Sequence, residues 1–252
     1  MEHWLYKDGT TTKYRTDNRT LFVWQRMRTK GLELLRATQH IERLNRSALS
    51  LFGISTTLST KELQDICRCL LIRGNYSSTA THIVELRLDS VGDISLRVIE
   101  TSLYKDFALR VVRPKAYITE CSAQLLESNT SASLVIADIL RAEANNKDCA
   151  IAICTNSHGE IKYIDGASPI IVRGKEITIS PTIDTLDTVI AIDALKQLNG
   201  MELTIAPIMV DLLSTATELL YVDSRGVTSV SQVGDRFYAD STAYALSKAI
   251  KW

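Results

Sequence analysis

His40 and Arg43 form the first pair of residues whose types and spacing could serve chemistry. They belong to the stretch His40-Ile41-Glu42-Arg43-Leu44, which apolar spacing places in the first turns of a helix. Residues three apart on a helix share a face, so the imidazole and the guanidinium would be neighbours. A guanidinium is planar and permanently charged, which suits a phosphate or a carboxylate. Spacing alone fits a solvated or locally capped pair more readily than a binding site.

Other patterns that would indicate catalysis or metal binding do not occur in the sequence. His3, His82 and His158 have no partners at metal-ligand spacing. Cys67 and Cys69 are separated by one residue, which is poor ligand spacing, and we interpret both as helix residues. No serine lies in a nucleophile-elbow glycine pattern, and there is no GxGxxG or Walker loop.

Composition excludes several classes of protein. The 252 residues carry no net charge and 45% of them are hydrophobic, so the chain can bury a sizeable core. A nucleic-acid or membrane-surface protein would normally show a basic stripe, so we expect neither partner. No apolar run approaches the ~20 residues of a membrane span, and no signal-peptide pattern is present. We expect a cytoplasmic protein whose five cysteines are reduced and mostly buried.

The order of predicted elements indicates an α+β fold with two domains. Each domain would be a sheet or barrel-like sheet packed with helices, with residues 1–103 in the first and 116–252 in the second. Residues 104–115 are charged and contain Pro114, which makes them the linker candidate. A cleft between two such domains is the default ligand site.

In the first half, apolar periodicity and turn signals predict two hairpins and two helices. Asp8-Gly9 is a hairpin signal. Thr38 is expected to cap the first helix and Gly53 to end it, and Ser59 or Thr60 is expected to cap the second. The predicted elements are strands Leu21–Arg28, Gly31–Leu35, Ala80–Asp89, Ile94–Thr101 and Leu109–Val112, with helices Gln39–Phe52 and Lys61–Arg73.

The second half is organised around residues 129–181, which predict a helix, a buried strand, a hairpin and a further strand. Small polar residues at 129–133 are suited to cap the helix, which would run to Asn146. The predicted strands of the second half are Ala116–Ser122, Ala150–Cys154, Glu160–Ile164, Ile170–Val172, Ile177–Ile179, Leu203–Ala206, Glu218–Val222 and Val227–Val233; the later helices are Asp187–Asn199, Val210–Thr215 and Ser241–Lys251.

Several short motifs resemble those of one enzyme family in order and spacing. His40-x-x-Arg43-Leu44 matches an H-x-x-R-L helix motif, and Trp24–Arg28 keeps only the arginine of an FE-x-[IL]-R strand. Further matching stretches are Leu140–Ala144, Thr155–Gly159, Gly166–Ser168, Ala216–Leu220 and Asp223–Arg225. Over nearly its whole length the chain therefore resembles class IV aminotransferases, the fold type IV enzymes that use pyridoxal phosphate (PLP). That family includes branched-chain and D-amino-acid aminotransferases and aminodeoxychorismate lyase.

The resemblance implies a set of cofactor-binding positions, several of which hold unexpected residues. The lysine that joins PLP through an imine corresponds to Thr130, and no lysine lies between Lys115 and Lys147. The glutamate beside the pyridine nitrogen corresponds to Tyr163. The phosphate loop falls at about residues 185–187, where Leu186 and Asp187 replace small residues, and an aspartate would repel a dianion. Arg43 and Ser224 remain as plausible phosphate contacts.

Three interpretations stay open from the sequence. The first is a family member that has lost PLP chemistry and binds a small anion or another small molecule near Arg43. The second is an active PLP-dependent aminotransferase or lyase with a displaced lysine, for which Lys30 and Lys115 are the candidates. The third is an unrelated α+β protein. The resemblance also implies a homodimer, while the substrate is not specified because ligand-contacting loops vary on a shared fold.

Overall fold

A computed structural model of the chain describes residues 4–7, 10–13, 21–102, 109–121, 128–181 and 185–252. The chain forms two compact units. The first contains Met1–Asp106, Asn129–Ser131 and Trp252, and the second contains Phe107–Ser128 and Ala132–Lys251. Residues 104–108 of the predicted linker lie outside the described residues, as do Asp8 and Gly9.

The first unit is a six-stranded antiparallel sheet with two helices. Its elements are β1 (Trp4–Lys7), β2 (Thr10–Lys13), β3 (Phe22–Lys30), β4 (Glu33–Leu34), α1 (Ala37–Phe52), α2 (Thr60–Arg73), β5 (Thr81–Asp89) and β6 (Ile94–Ser102). The strand order is β2-β1-β6-β5-β3-β4. Strands β1 and β2 pair with Lys7 opposite Thr10, as the predicted hairpin requires.

Alternation along the strands puts one face of this sheet against the helices. Val23 and Met27 of β3 are fully buried in one core with Leu44 of α1 and Leu63 of α2. Because side chains alternate across a strand, Trp24 and Arg26 lie on the opposite face. The helices therefore cover one face of the sheet with apolar contacts.

The helix ends of this unit agree only partly with the predicted caps. The Ser59 hydroxyl accepts a hydrogen bond from the Glu62 backbone N–H, and the Glu62 carboxylate accepts one from the Ser59 backbone N–H, which forms the capping box that begins α2. Gly53 ends α1 in the left-handed conformation, as predicted. The prediction that Thr38 caps α1 is wrong: the N-cap is Arg36, in the left-handed conformation and without a side-chain cap bond.

The second unit contains two sheets and three α-helices among its described residues. Its elements are β7 (Lys115–Glu120), α3 (Ser131–Asn145), β8 (Ile151–Thr155), β9 (Glu160–Ile164), β10 (Ile170–Arg173), β11 (Glu176–Ile179), α4 (Leu186–Leu195), β12 (Glu202–Ile205), β13 (Ile208–Met209), a 3-10 helix (Val210–Ser214), β14 (Glu218–Asp223), β15 (Gly226–Ser229), β16 (Gln232–Val233), β17 (Arg236–Phe237) and α5 (Ser241–Ala249). Ser131, the first residue of α3, is grouped with the first unit.

The two sheets share a core. One has the order β12-β11-β10-β14-β15 and the other β13-β9-β8-β7-β16-β17. Ile153 and Ile161 from the second sheet pack with Ile171, Leu219 and Tyr221 from the first. Ala150–Cys154 is the short apolar run that predicts a strand buried on both faces, and β8 is buried along its whole length. The α+β prediction is confirmed.

Several predicted elements differ in their bounds; the expected strand Val227–Val233, for example, is divided into β15 and β16, and the expected helix Ser241–Lys251 ends at Ala249. The expected strand Gly31–Leu35 is reduced to the two residues of β4, and α4 ends at Leu195 instead of Asn199. Of the expected strand Leu109–Val112, only an isolated bridge from Leu109 to Val227 forms. No helix in the described ranges is long and apolar enough to span a membrane.

Two of the cysteines form a disulfide, so the expectation that all five are reduced is wrong. Cys121 and Cys154 are bonded, with Cα atoms 5.7 Å apart. Strand β7 lies parallel to β8, with Glu120 opposite Thr155, and this register brings the two cysteines together. Cys67, Cys69 and Cys149 are free.

Candidate functional site

Thr130 precedes α3 and lies against strand β3. The Trp24 backbone N–H donates to the Asn129 carbonyl at 2.8 Å, and the Trp24 indole N–H donates to the Thr130 carbonyl at 2.9 Å. Val23 and Thr130 also form an antiparallel bridge. The backbone at positions 129 and 130 is thus held against β3 by two hydrogen bonds from Trp24. Its side chain is a hydroxyl, which cannot form an imine with an aldehyde.

Tyr163 is buried in β9 beneath helix α3. It lies opposite Cys154 of β8, and Cys121, Ile136 and Leu140 pack around the pair. The alternation of β9 directs Tyr163 to this face because its neighbours Lys162 and Ile164 point the other way. A phenol at this position can make a hydrogen bond, but it does not carry the charge of a carboxylate near pH 7.

Leu186 and Asp187 are the first two residues of α4. Thr185 is the N-cap, and its hydroxyl accepts a hydrogen bond from the Thr188 backbone at 3.2 Å. Asp187 lies in the first turn, where the helix dipole stabilises a negative charge. The Asp187 carboxylate therefore lies at the N-terminal end of α4, which would otherwise attract an anion.

The turn that carries Ser224 is held by a network of ion pairs. It joins β14 to β15, with Asp223 opposite Gly226, and Ser224 is buried within it. Arg225 donates from Nε to Asp223 at 2.8 Å and from Nη2 to Asp165 at 3.0 Å, and Nη2 also contacts Asp223. Asp165 in addition accepts from the Tyr221 hydroxyl at 3.3 Å and from Arg141 at 3.3 Å.

Burial and charge together determine the protonation states of this network. The Asp223 carboxylate is the main cause that raises the pKa of Arg225 above its usual range. Burial pushes the pKa of Asp223 upward, but the charge and hydrogen bonds of Arg225 outweigh it and leave that pKa below the ordinary value. Burial, reinforced by Asp165, raises the pKa of Tyr221. The network is therefore a fixed set of alternating charges at neutral pH.

The loop after β9 brings these segments of the second unit together. At one end, Asp165 holds Arg225 beside Ser224. At the other, the Ser168 hydroxyl lies 3.1 Å from the Thr188 hydroxyl in α4. Residues 165–168 thus contact the segments that contain Ser224 and Leu186–Asp187, whereas Arg43 and Thr130 belong to the first unit.

A small cavity of about 20 Å³ lies between α3 and strands β8 and β9. Its walls are mostly apolar, and Arg141 and Asp165 stand as an ion pair at its polar side. Tyr163 and Cys154 also line it, so the cavity borders the disulfide. Its volume is enough for about one water molecule.

His40 and Arg43 lie on α1 in the first unit, and they differ in exposure. His40 is buried, with Nδ1 3.3 Å from the Gln25 side-chain oxygen. Burial, followed by the charges of Arg43 and Arg36, lowers the pKa of His40 to about 3, so the imidazole is neutral near pH 7. Arg43 is half-buried. His40 is thus a packed core residue, whereas Arg43 is partly exposed to solvent.

Sequence reasoning missed Asp165, Tyr221 and Arg141 as neighbours of the Ser224 turn. They lie 24 to 60 positions from the residues they contact, so no local spacing indicates the network. The one local signal is Asp223-Ser224-Arg225, where opposite charges are two residues apart. No group of acidic, histidine and cysteine side chains suited to a metal ion occurs in the described part of the chain.

Comparison with known proteins identifies the family. The family model of amino-transferase class IV matches residues 23–233. The chain belongs to the class IV aminotransferases. The resemblance inferred from the motifs is confirmed, and the interpretation as an unrelated α+β protein is wrong.

Solved structures of class IV aminotransferases share this fold. An aminotransferase from Brucella abortus bound to PLP has a TM-score of 0.80 at 17% identity, over 98% of each chain. A branched-chain aminotransferase from Thermoproteus uzoniensis with norvaline has a TM-score of 0.79 at 15% identity, over 98% of this chain and 93% of that one. A fold IV transaminase from Curtobacterium pusillum gives 0.76 at 14% identity, over 97% and 99%. No curated protein sequence matches the chain.

Proposed function

We propose that this class IV aminotransferase family protein does not hold PLP covalently, does not transaminate amino acids, and instead binds a small anionic ligand. The observation that carries the proposal is the hydroxyl side chain of Thr130 at the position that matches the family's lysine. The backbone contacts with Trp24 fix residues 129 and 130, and no lysine occurs from Ala116 to Asn146.

The remaining matched positions also fit PLP poorly. Tyr163 offers a buried phenol where the family has a carboxylate for the ring nitrogen. Asp187 places a negative charge in the first turn of α4, where a phosphate would need N–H groups without a competing anion. The Ser224 hydroxyl is buried in a turn held by Arg225 and two aspartates, which limits its access to a phosphate.

Borohydride labelling tests the absence of a covalent link. The purified chain is incubated with excess PLP, reduced, and analysed by intact and peptide mass spectrometry, with turnover measured on a panel of amino acids. We expect no stoichiometric adduct and no turnover above the rate of free PLP. Stoichiometric labelling of Lys30 or Lys115 together with turnover would establish the alternative, an active enzyme with a displaced lysine.

The variant Thr130→Lys tests the assignment of position 130. A lysine side chain reaches about 6 Å from its Cα, and the Trp24 contacts hold that backbone in place. We expect this variant to gain visible absorption with PLP and a borohydride-stable adduct at residue 130. Thr57→Lys, at an exposed loop position, is the matched control and should gain neither. A folded Thr130→Lys variant without the adduct would mean that position 130 does not match the family's lysine.

Arg43 supports the anion-binding part of the proposal. Its guanidinium is half-buried on α1 and therefore partly desolvated, and the planar shape of a guanidinium suits a phosphate or a carboxylate. Equilibrium dialysis with radiolabelled orthophosphate at low ionic strength should detect binding that Arg43→Gln weakens. Arg46→Gln, an exposed arginine one turn along α1, is the control. Equal phosphate binding by the Arg43→Gln and Arg46→Gln variants would show that Arg43 does not contact the anion.

We also propose that the protein is a homodimer that uses the outer face of α3. Val135 and Ile139 are 59% and 53% exposed and lie four residues apart, so they form an apolar stripe. Val135→Glu with Ile139→Glu should give a monomeric mass in light scattering, whereas Ile72→Glu on α2, at another exposed apolar residue, should not. A monomeric wild type at micromolar concentration would contradict this proposal.

A further inference from the structure

The Cys121–Cys154 disulfide joins two sulfur atoms whose surroundings differ. Cys154 lies within β8, is 1% exposed and packs against Tyr163 of β9. Ile136 and Leu140 of α3 pack onto the same cluster. Cys121 follows the last residue of β7 and is only half-buried. A reagent in solution therefore reaches the bond from the Cys121 side.

The two strands that the disulfide joins are already held together by their backbones. Strands β7 and β8 pair in parallel from Ala116 opposite Ile151 to Glu120 opposite Thr155. The Cys121 backbone N–H continues this ladder with a 3.0 Å hydrogen bond to the Thr155 carbonyl. The pairing of β7 with β8 therefore does not depend on the disulfide, and the bond can open and close within the folded protein.

The surroundings of Cys154 leave room for its sulfur to move. The small cavity between α3 and strands β8 and β9 is lined by Cys154, and the register of β8 against β9 shifts between Cys154 and Thr155. Two sulfur atoms are about 2.05 Å apart in a disulfide and separate to more than about 3.5 Å when the bond breaks. The cavity and the irregular pairing accommodate that separation without displacing α3.

We propose that the Cys121–Cys154 disulfide is a reversible thiol–disulfide exchange site for small thiols. The thiolate of a small thiol attacks the Cys121 Sγ and forms a new sulfur–sulfur bond, while the bond from Cys121 to Cys154 breaks. Cys154 leaves with the electron pair and takes up one proton. A second small thiol attacks the sulfur of the first, which releases Cys121 as a thiol. The protein disulfide gains two electrons and two protons, and two small thiols are oxidised to their disulfide.

Reduction changes how the end of β7 is held. In the oxidised protein the Cys121 side chain is bonded to β8, whereas in the reduced protein its backbone hydrogen bond to Thr155 is what continues the ladder. Seven residues separate Cys121 from Asn129, and Thr130 follows directly. The disulfide therefore fixes one end of the short stretch of chain that leads to Thr130.

Counting thiols by mass spectrometry tests whether the exchange occurs in the folded protein. All samples carry Cys69→Ser, because Cys69 is a half-buried free thiol that would also react. Protein purified without reductant, denatured and alkylated should carry two labels, at Cys67 and Cys149. Incubation with reduced glutathione in native buffer before the denaturing alkylation should raise the count to four, and oxidised glutathione should return it to two. Four labels without reductant, or two labels until denaturant accompanies the glutathione, would overturn the proposal.

Two further variants in the Cys69→Ser background test which sulfur is attacked. Cys154→Ser leaves Cys121 as a half-buried thiol, and Cys121→Ser leaves Cys154 as a buried one. With oxidised glutathione, Cys154→Ser should form a mixed disulfide at Cys121 at least tenfold faster than Cys121→Ser forms one at Cys154, because exchange requires an accessible thiolate. Circular dichroism confirms that both variants are folded. Equal rates, or a faster reaction at Cys154, would contradict the assignment of Cys121 as the attacked sulfur.

Hydrogen exchange followed by mass spectrometry measures the effect on β7. Complete reduction in native buffer should make the amides of Tyr117–Cys121 exchange at least threefold faster, whereas those of α1 in the first unit should be unchanged. Cys154→Ser lacks the disulfide in either buffer and should show the faster rate in both. Unchanged exchange of β7 after complete reduction would show that the disulfide does not hold the end of this strand.

Discussion

Arg225→Met is the substitution whose effect on the free energy of unfolding follows most directly from the structure. It removes the guanidinium that joins Asp223 and Asp165 and keeps much of the side-chain volume. The three side chains are 20%, 17% and 8% exposed. Breaking a buried ion pair by removing one partner costs about 3–5 kcal/mol, because a charge is left buried without compensation. Since a fifth of Arg225 reaches solvent, we expect a loss of about 3 kcal/mol in the free energy of unfolding at pH 7.5.

The pH dependence of that loss distinguishes the ion pair from a simple packing defect. In the wild type the pKa of Asp223 is lowered, so its contribution is present above the ordinary pKa and is lost as pH falls through the lower folded value. Without Arg225, burial raises the folded pKa of Asp223 and only the weaker influence of the Arg110 charge opposes it, so the ionised form destabilises the variant. The difference between wild type and variant should therefore shrink as pH falls from 7.5 to 4.5.

Urea denaturation followed by circular dichroism measures both effects. Arg173→Met is the control, because the Arg173–Glu176 pair is mostly exposed and should contribute less than about 1 kcal/mol. Arg225→Met combined with Asp223→Asn should recover part of the stability, since neither charge is then left alone. A loss below about 1 kcal/mol at pH 7.5, or one that is the same at pH 4.5, would refute the reasoning.

Three other predictions concern local structure. Glu218 accepts hydrogen bonds from the Ser241 and Thr242 hydroxyls and from two backbone N–H groups of α5. Glu218→Ala should therefore lower the free energy of unfolding, measured in urea, by about 3 kcal/mol, and Glu218→Gln should lower it by less. Equal effects of the two substitutions would argue against the hydrogen bonds. Ser59→Ala removes the capping box of α2 and should lower the free energy of unfolding by about 1 kcal/mol. An unchanged thermal midpoint would contradict this prediction. The pKa of His40 is about 3 in the fold, so between pH 6.5 and pH 5 the imidazole takes up a proton only in the unfolded chain. The free energy of unfolding should therefore fall by about 2 kcal/mol over that range. His40→Gln should flatten the stability profile over that range, and an unaltered profile would show that His40 is not the group responsible.

Local signals predicted the elements better than the site. Ser59, Gly53 and the Lys7–Thr10 pairing follow from chemistry within four residues, and the structure confirms each. The start of α1 was mispredicted because Thr38 has the right side chain, whereas Arg36 adopts the left-handed conformation that begins the helix. Tertiary context decides between such candidates.

Contacts far apart in sequence could not be predicted from the chain alone. The ion pairs of Glu85 with Arg26 and Arg97 depend on the register of three strands, and a shift of one residue would place the arginines on the other face. The Asp165–Arg225 pair spans 60 positions, and the disulfide depends on the parallel pairing of β7 with β8. The order and spacing of short motifs, by contrast, were sufficient to predict the family, because the order of the motifs along the chain is kept even where individual residues differ from the family's pattern.

The attachment of Asn129 and Thr130 to Trp24 also constrains how the chain can be divided and made. Strand β3 is synthesised more than a hundred residues before the segment that pairs with it, so this part of the first unit cannot be completed early in translation. Arg28 stacks on Trp252, which is synthesised later still. A fragment that stops at Asp106 would lack both partners. The first unit is therefore discontinuous along the polypeptide, and its last contacts form only after the strands and helices of the second unit have been synthesised.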